Sequence, residues 1–134
     1  MRDGEGATKF VAIEVSGAKS VAEADSVGRT VAHSPLVKTA LFASDPNWGR
    51  ILAAIGRAGV EDLDVDAVSL SINGALIAEN GARAESYTEQ AGVAAMAPED
   101  LLIVIDLARG NETAMIWTTD FSYDYVKINA EYRT

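Results

Sequence analysis

The chain has 134 residues, of which 49% are hydrophobic, and its formal net charge at pH 7 is −9. This size and composition predict a single domain over residues 1–134, with enough apolar side chains for a core. The negative charge excludes nucleic acid and anionic membranes as expected partners, because their phosphate groups would be repelled. The sequence contains no cysteine, which excludes disulfides and thiolate catalysis and fits a cytoplasmic protein.

The N-terminal half is predicted to alternate strands and helices. Residues 9–15, KFVAIEV, are apolar on both faces, which predicts a buried strand. A capping-box spacing at 20–23 and apolar residues at helical intervals predict a helix that ends before Pro35. Residues 37–43 favour a second strand. A second helix is expected to begin at Ser44-Asp45-Pro46 and to end at Gly56 or Gly59.

The C-terminal half is predicted to be rich in strands. Residues 67–72, AVSLSI, alternate between apolar and polar, and Asn73-Gly74 is a strong hairpin signal. We therefore expect residues 75–78 to return antiparallel to that strand. A helix is predicted at 87–97, and strands are predicted at 101–107, 114–119 and 123–130. The resulting order, β-α-β-α-β-β-α-β-β, indicates an α+β domain with a mixed sheet and helices packed on one face.

Most short motifs that could carry chemistry fail on their context. The glycine-rich residues 4–9 precede a strand, whereas nucleotide-binding glycine loops follow a strand and open a helix. The aspartates at 62–66 are spaced like the start of a calcium loop, but that loop's glycine and glutamate are missing, so a solvated acidic turn is expected. His33 is the only histidine, and we interpret it as a helix-end residue without a catalytic role. The sequence therefore predicts no cofactor and no metal site.

Three long blocks carry a family resemblance: RDGEGATKF, SPLVKTALFASDPNWGRILAAIGRAG and DFSYDYVKINAEYRT. In this order they resemble the C-terminal third of the ornithine acetyltransferase family, also called the bifunctional glutamate N-acetyltransferase or ArgJ family of arginine biosynthesis. The resemblance implies the C-terminal domain of a two-chain enzyme. Its precursor cuts itself before a threonine, and that threonine carries acetyl from N-acetylornithine to glutamate.

The resemblance also implies that the nucleophile lies elsewhere. The segment that carries the family's catalytic threonine is not found in these residues, and Thr8 lies inside a different family block. The family keeps its oxyanion-hole residues in the α chain. We therefore expect no catalytic residue in this chain, and we expect its partners to be the α chain and the remainder of the β chain, in αβ heterodimers that pair further.

Three residues are implied to bind substrate. By position in the family blocks these are Glu5, Asn129 and Thr134. Glu5 stands between two glycines, which let another chain or a ligand approach closely. An acid and two neutral hydrogen-bonding groups could pair with the ammonium and carboxylate groups of ornithine.

Two functions stay open at this point. The chain is either a β-chain portion of an acetyltransferase that contributes substrate contacts, or a non-catalytic binding or assembly domain without its catalytic partner. The sequence also leaves open whether acetyl-CoA is a second acetyl donor.

Overall fold

Helices cover one face of a mixed sheet in the computed structural model, which describes residues 9–120. In chain order the elements are β1 (Phe10–Ala18), α1 (Val21–His33), α2 (Pro35–Phe42), α3 (Trp48–Gly56), β2 (Ser69–Ile72), β3 (Ala75–Glu79), β4 (Ala82–Arg83), α4 (Glu89–Met96), β5 (Asp100–Asp106) and β6 (Glu112–Thr119). The order of the strands across the sheet is β4-β3-β2-β5-β1-β6. The predicted fold class, α+β with a mixed sheet, is confirmed.

The sheet is mixed because one pair of neighbouring strands is parallel and the other pairs are antiparallel. β1 pairs with β5 in parallel and with β6 antiparallel. β2 pairs antiparallel with both β5 and β3. The parallel pair β1–β5 is joined by a long connection that includes all four described helices. Among the antiparallel pairs, β2–β3 and β3–β4 are joined by two-residue turns, whereas β1–β6 and β2–β5 bring together strands that are far apart in the chain.

The core lies between the sheet and the helices. Alternate residues of the three central strands point into it, including Val11, Ile13, Leu70, Ile103 and Ile105. Gly28 lets α1 approach the sheet closely, because a Cβ atom there would lie 2.6 Å from a side-chain carbon of Ile116. None of the helices formed by residues 9–120 is long and apolar enough to cross a bilayer.

One predicted strand is wrong. Residues 37–43 were expected to be extended, but Pro35–Phe42 form α2. The Ser34 side chain accepts a hydrogen bond from the Val37 amide at 3.3 Å and so caps this helix, with Pro35 in its first turn. The Ser-Pro pair that was interpreted only as the end of α1 is therefore also the start of α2.

The predicted start of the next helix is also wrong. Asn47, and not Ser44 or Asp45, caps α3, because its side chain accepts from the Arg50 amide at 3.1 Å. Pro46 precedes the cap instead of opening the helix. The chain reaches Asn47 through a turn in which Ser44 has a positive φ of 55°. The predicted end of the helix at Gly56 is confirmed.

The hairpin at Asn73-Gly74 is confirmed. Both residues have positive φ values, 48° and 84°, as a two-residue hairpin turn requires. β3 returns antiparallel to β2, with Ile72 opposite Ala75. The short strand β4 was not predicted, and the strand predicted at 123–130 lies outside the described residues.

Candidate functional site

The buried polar side chains of the described residues gather mainly at one end of the sheet. Phe10, which opens β1, lies opposite Thr119, which ends β6. Around this pair we define the junction cluster, which consists of Lys9, Lys38, Thr118, Thr119 and Asp120, all of them buried. Charged groups are rarely buried without a partner, so this concentration of buried polar side chains makes the junction cluster a candidate site.

Lys38 is the central cation of the junction cluster. It projects from α2 and is only 5% exposed. Its Nζ atom donates to Thr118 Oγ1 at 2.8 Å and to the Thr119 carbonyl oxygen at 3.1 Å. Burial lowers the pKa of the Lys38 ammonium to about 8, and the charge of Asp120 offsets part of this decrease. Near neutral pH, Lys38 is therefore a buried cation that can lose its proton readily.

Lys9 fixes the start of β1 to the end of α4. Its Nζ donates to the carbonyl oxygens of Met96, at 2.5 Å, and Pro98, at 3.0 Å. These carbonyls lie at the C-terminal end of α4, where the helix dipole favours a cation. The first described residue is thus held by a helix end as well as by the sheet.

The two segments that hold the predicted substrate-binding residues join the described structure side by side. The Asp120 amide donates to the Lys9 carbonyl oxygen at 3.2 Å. Residues 1–8, with Glu5, precede Lys9, and residues 121–134, with Asn129 and Thr134, follow Asp120. Glu5, Asn129 and Thr134 all lie outside the described residues, and their predicted roles stay predictions.

Sequence reasoning missed Lys38. The strand predicted at 37–43 contains Lys38, and no sequence motif assigns it a role. The available signal was a lone lysine inside the apolar run 35–42, PLVKTALF, directly after a Ser-Pro pair that can cap a helix. That signal indicates a buried lysine on a short helix. It cannot indicate the partner of Lys38, because Thr118 lies 80 positions further along the chain.

The other sequence features considered above lie at the ends of helical elements. His33 is the last residue of α1, as predicted. Asp64 caps a short 3-10 turn at Val65–Ala67, its side chain accepting from the Asp66 amide at 3.0 Å. Among residues 9–120 no group of three or more acidic, histidine or cysteine side chains could hold a metal ion.

A second charged group ties the loop after β5 to α1. Arg109 donates to both carboxylate oxygens of Glu23, each at 2.9 Å, and to the carbonyl oxygen of Asp62 at 2.7 Å. The hydrogen bonds from Arg109 hold the pKa of the Glu23 carboxyl below its usual value. Such bidentate pairing fixes geometry as well as charge, so this group stabilises the far end of the sheet.

A mixed sheet with helices on one face defines the chain as an α+β protein. A model of the ArgJ family matches residues 1–134, and the chain belongs to the ArgJ family.

The relatives are longer than this chain. It is 61% identical over 134 residues to an arginine biosynthesis bifunctional protein ArgJ of Pseudomonas syringae pv. tomato, and it covers 33% of that protein. Its identity to the protein of the same name from Pseudomonas fluorescens is 62%, again with 33% of the relative covered. The chain thus spans about a third of the length of the curated relatives it matches.

A solved structure has the same fold. The crystal structure of the ArgJ protein from Bacillus halodurans is 38% identical in sequence, with a TM-score of 0.82. The match covers 98% of this chain and 61% of the solved chain.

Proposed function

We propose that this chain is the C-terminal β-chain portion of an ornithine acetyltransferase. The enzyme moves acetyl from N-acetylornithine to glutamate through an acetyl-threonine intermediate, and the nucleophilic threonine belongs to another segment. The observation that carries the proposal is the family match along all 134 residues, together with relatives that are named arginine biosynthesis bifunctional proteins. A threonine hydroxyl becomes nucleophilic when a neighbouring base, such as a freed α-amine, takes its proton.

In this proposal the chain supplies substrate contacts through Glu5, Asn129 and Thr134. The carboxylate of Glu5 binds the ammonium group of ornithine, and the two neutral side chains hydrogen-bond to its carboxylate. The bond between the Asp120 amide and the Lys9 carbonyl supports this grouping, because the segments that carry the three residues start from adjacent strand ends. Three residues lie between Glu5 and Lys9, so the two are at most about 14 Å apart in an extended chain.

In this proposal the junction cluster holds in place the part of the sheet from which the substrate-binding segments continue. Lys38 connects α2 to the last residues of β6 and so fixes the point from which residues 121–134 continue. Lys9 does the same for residues 1–8 through α4. The partners of the chain are the α chain and the remainder of the β chain, assembled as αβ heterodimers after self-cleavage. The absence of cysteine fits a cytoplasmic enzyme.

The proposal is tested by the substitution Glu5→Gln in a complete enzyme that contains this chain. The amide keeps the size of the side chain and removes its charge, and a hydrogen bond between charged groups contributes about 1.5–3 kcal/mol. We expect kcat/KM for N-acetylornithine to fall by about one to two orders of magnitude, with self-cleavage and the melting temperature nearly unchanged.

Glu112→Gln is the matched control, because Glu112 is exposed and begins β6 at the end of the strand opposite to the junction cluster. Its kcat/KM should equal that of the wild type. An unchanged kcat/KM for Glu5→Gln would refute the assigned role, and a large drop in its melting temperature would make Glu5 a structural residue.

A further inference from the structure

Lys38 joins α2 to the point at which β6 ends. Its Nζ atom donates to Thr118 Oγ1 at 2.8 Å and to the Thr119 carbonyl oxygen at 3.1 Å. Thr119 is the last residue of β6, and Asp120, which follows it, is fully buried. The negative charge of Asp120 acts on the Lys38 ammonium group. One amine thus interacts with three consecutive residues, directly before the segment 121–134 begins.

α2 is itself held by contacts that do not involve β6. The Ser34 side chain caps the helix. Arg50 of α3 donates through Nη1 to the Leu36 carbonyl oxygen at 3.0 Å and to Thr39 Oγ1 at 3.2 Å. The helix therefore presents the Lys38 amine from a support that is fixed independently of the strand end that the amine contacts.

Stability alone does not explain a buried lysine at this point. Removing an ammonium group from water costs free energy, and apolar side chains that replace buried ion pairs often leave a protein equally or more stable. An apolar side chain would fill the same space, but it would neither direct the Thr119 carbonyl group nor oppose the charge of Asp120. An ammonium group opposes that charge, and its hydrogen bonds are directional and charge-assisted. The lysine therefore fits a role in placing the end of β6.

We propose that Lys38 is a positioning residue of the substrate site: it directs the chain that continues from Asp120, and so places Asn129 and Thr134 for binding, without contacting the substrate. The inference rests on the proposed function, which assigns substrate contacts to Asn129 and Thr134. In that assignment the two side chains hydrogen-bond to the carboxylate of ornithine. Lys38 then acts on the carboxylate end of the substrate.

The proposed role is selective in two ways. The nucleophilic threonine is proposed to lie on another segment, so Lys38 affects the binding of substrate and not the transfer of acetyl. Glu5 belongs to the segment before Lys9, and Lys9 Nζ donates to the carbonyl oxygens of Met96 and Pro98 instead. Lys38 therefore acts on the contacts of the substrate carboxylate and not on the contact of its ammonium group.

The first experiment is Lys38→Met in a complete enzyme that contains this chain. Methionine keeps most of the length of the side chain and removes its charge and its donors. We expect KM for N-acetylornithine and for glutamate to rise about tenfold, as for the loss of roughly one hydrogen bond to a charged group, while kcat stays within about twofold. Self-cleavage should proceed as in the wild type.

Lys19→Met is the matched control. Lys19 is exposed and follows Ala18, at the end of β1 that lies away from the junction cluster. The substitution makes the same chemical change far from Asp120. Its KM and kcat should equal those of the wild type.

A second experiment asks through which residues Lys38 acts. Lys38→Met is combined with Asn129→Ala and, separately, with Glu5→Gln. In the Asn129→Ala background the additional rise in KM should shrink to about threefold, because of the two proposed carboxylate contacts only Thr134 is left to misplace. In the Glu5→Gln background it should stay about tenfold, because substitutions at independent sites add. A general loss of stability would give no such difference between the backgrounds.

Thr118→Val tests the same contact without removing the buried charge. It takes away the hydroxyl that accepts from Lys38, so KM should rise by about threefold at constant kcat. This variant decides the question if Lys38→Met does not fold.

Every other result overturns the inference. An unchanged KM in Lys38→Met or in Thr118→Val, or an equal factor in the two backgrounds, would show that Lys38 does not act through Asn129 and Thr134. A fall in kcat at constant KM would mean that Lys38 acts on the reaction itself.

The binding of N-acetylornithine, measured by calorimetry, separates this inference from the proposed function. Acetyl transfer with an unaltered KM in both variants refutes only the positioning role of Lys38. Binding without transfer by the wild type refutes only the proposed function, and the affinities of the variants then test Lys38. A wild type that neither binds nor transfers refutes both.

Discussion

Lys38 shows how the fold sets the chemistry of a single side chain. Its ammonium group is removed from water by α2 and the sheet, which favours the neutral amine and lowers its pKa to about 8. Thr118 Oγ1 and the Thr119 carbonyl oxygen accept hydrogen bonds from it, and Asp120 supplies an opposite charge. The Lys38 ammonium group is therefore stable at neutral pH, but it binds its proton less tightly than the ammonium group of a surface lysine does.

We expect the Lys38 amine to titrate with a midpoint of about 8, against the usual 10.5. The folded state loses this proton between pH 8 and 10.5 while the unfolded chain keeps it, so the wild type should gain stability over this range relative to Lys38→Met. The total gain is at most roughly 3 kcal/mol. Lysine side-chain NMR and chemical denaturation at a series of pH values measure the two effects.

Thr118→Val is an internal check on the direction of this shift. It removes a hydroxyl that accepts from the charged form, so the Lys38 pKa should fall further. A wild-type midpoint near 10.5 would show that the amine is hydrated, and the description of the junction cluster as a buried site would then be wrong.

At the level of elements, the turn between β2 and β3 also connects two other parts of the fold. The Asn73 side chain donates to the Ala95 carbonyl oxygen at 2.9 Å and accepts from the Leu102 amide at 2.7 Å. One residue thus joins the hairpin to α4 and to the central strand β5. The hairpin signal in the sequence predicted the turn but not this second role.

Asn73→Gly should separate these two roles. Glycine keeps the positive φ of the turn and removes the side-chain bonds, so we expect a loss of about 1–2 kcal/mol in the free energy of unfolding. Asn80→Gly is the matched control, because Asn80 has a φ of 52° in a second Asn-Gly turn, between β3 and β4, and makes neither of these contacts. Equal losses for the two variants, measured by urea denaturation, would assign the effect to glycine itself.

For the whole molecule, we expect the isolated chain to transfer no acetyl group from N-acetylornithine to glutamate. The family resemblance assigns both the nucleophilic threonine and the oxyanion donors to segments other than these 134 residues. Product formation by the purified chain would be compared with a buffer control and with the complex that contains the rest of the enzyme. Turnover by the chain alone would require a second nucleophile and contradict the proposed division of the site.

Much of the fold could be predicted because several signals are local. A few neighbouring residues are enough to predict each of these elements, and all of them are present in the structure. They are the strand that alternates at 67–72, the Asn-Gly turn, and the strands in the apolar runs at 9–15 and 101–107. The element at 37–43 could not be resolved this way. Its short, largely apolar run is compatible with a strand or a helix. The outcome depends on the Ser34 cap and on the burial of Val37, Lys38 and Leu41 at helical spacing.

The sequence by itself determined the α+β class, the hairpin and the family, because these depend on periodicity, turn chemistry and long unusual blocks of residues. Only the tertiary structure decided which face of the sheet the helices of residues 9–120 cover, and that Lys9 and Asp120 are hydrogen-bonded neighbours. It also decided that Lys38 is buried against Thr118. Contacts between residues so far apart in the chain depend on how the strands pair and the helices pack, and a local pattern contains no information about either.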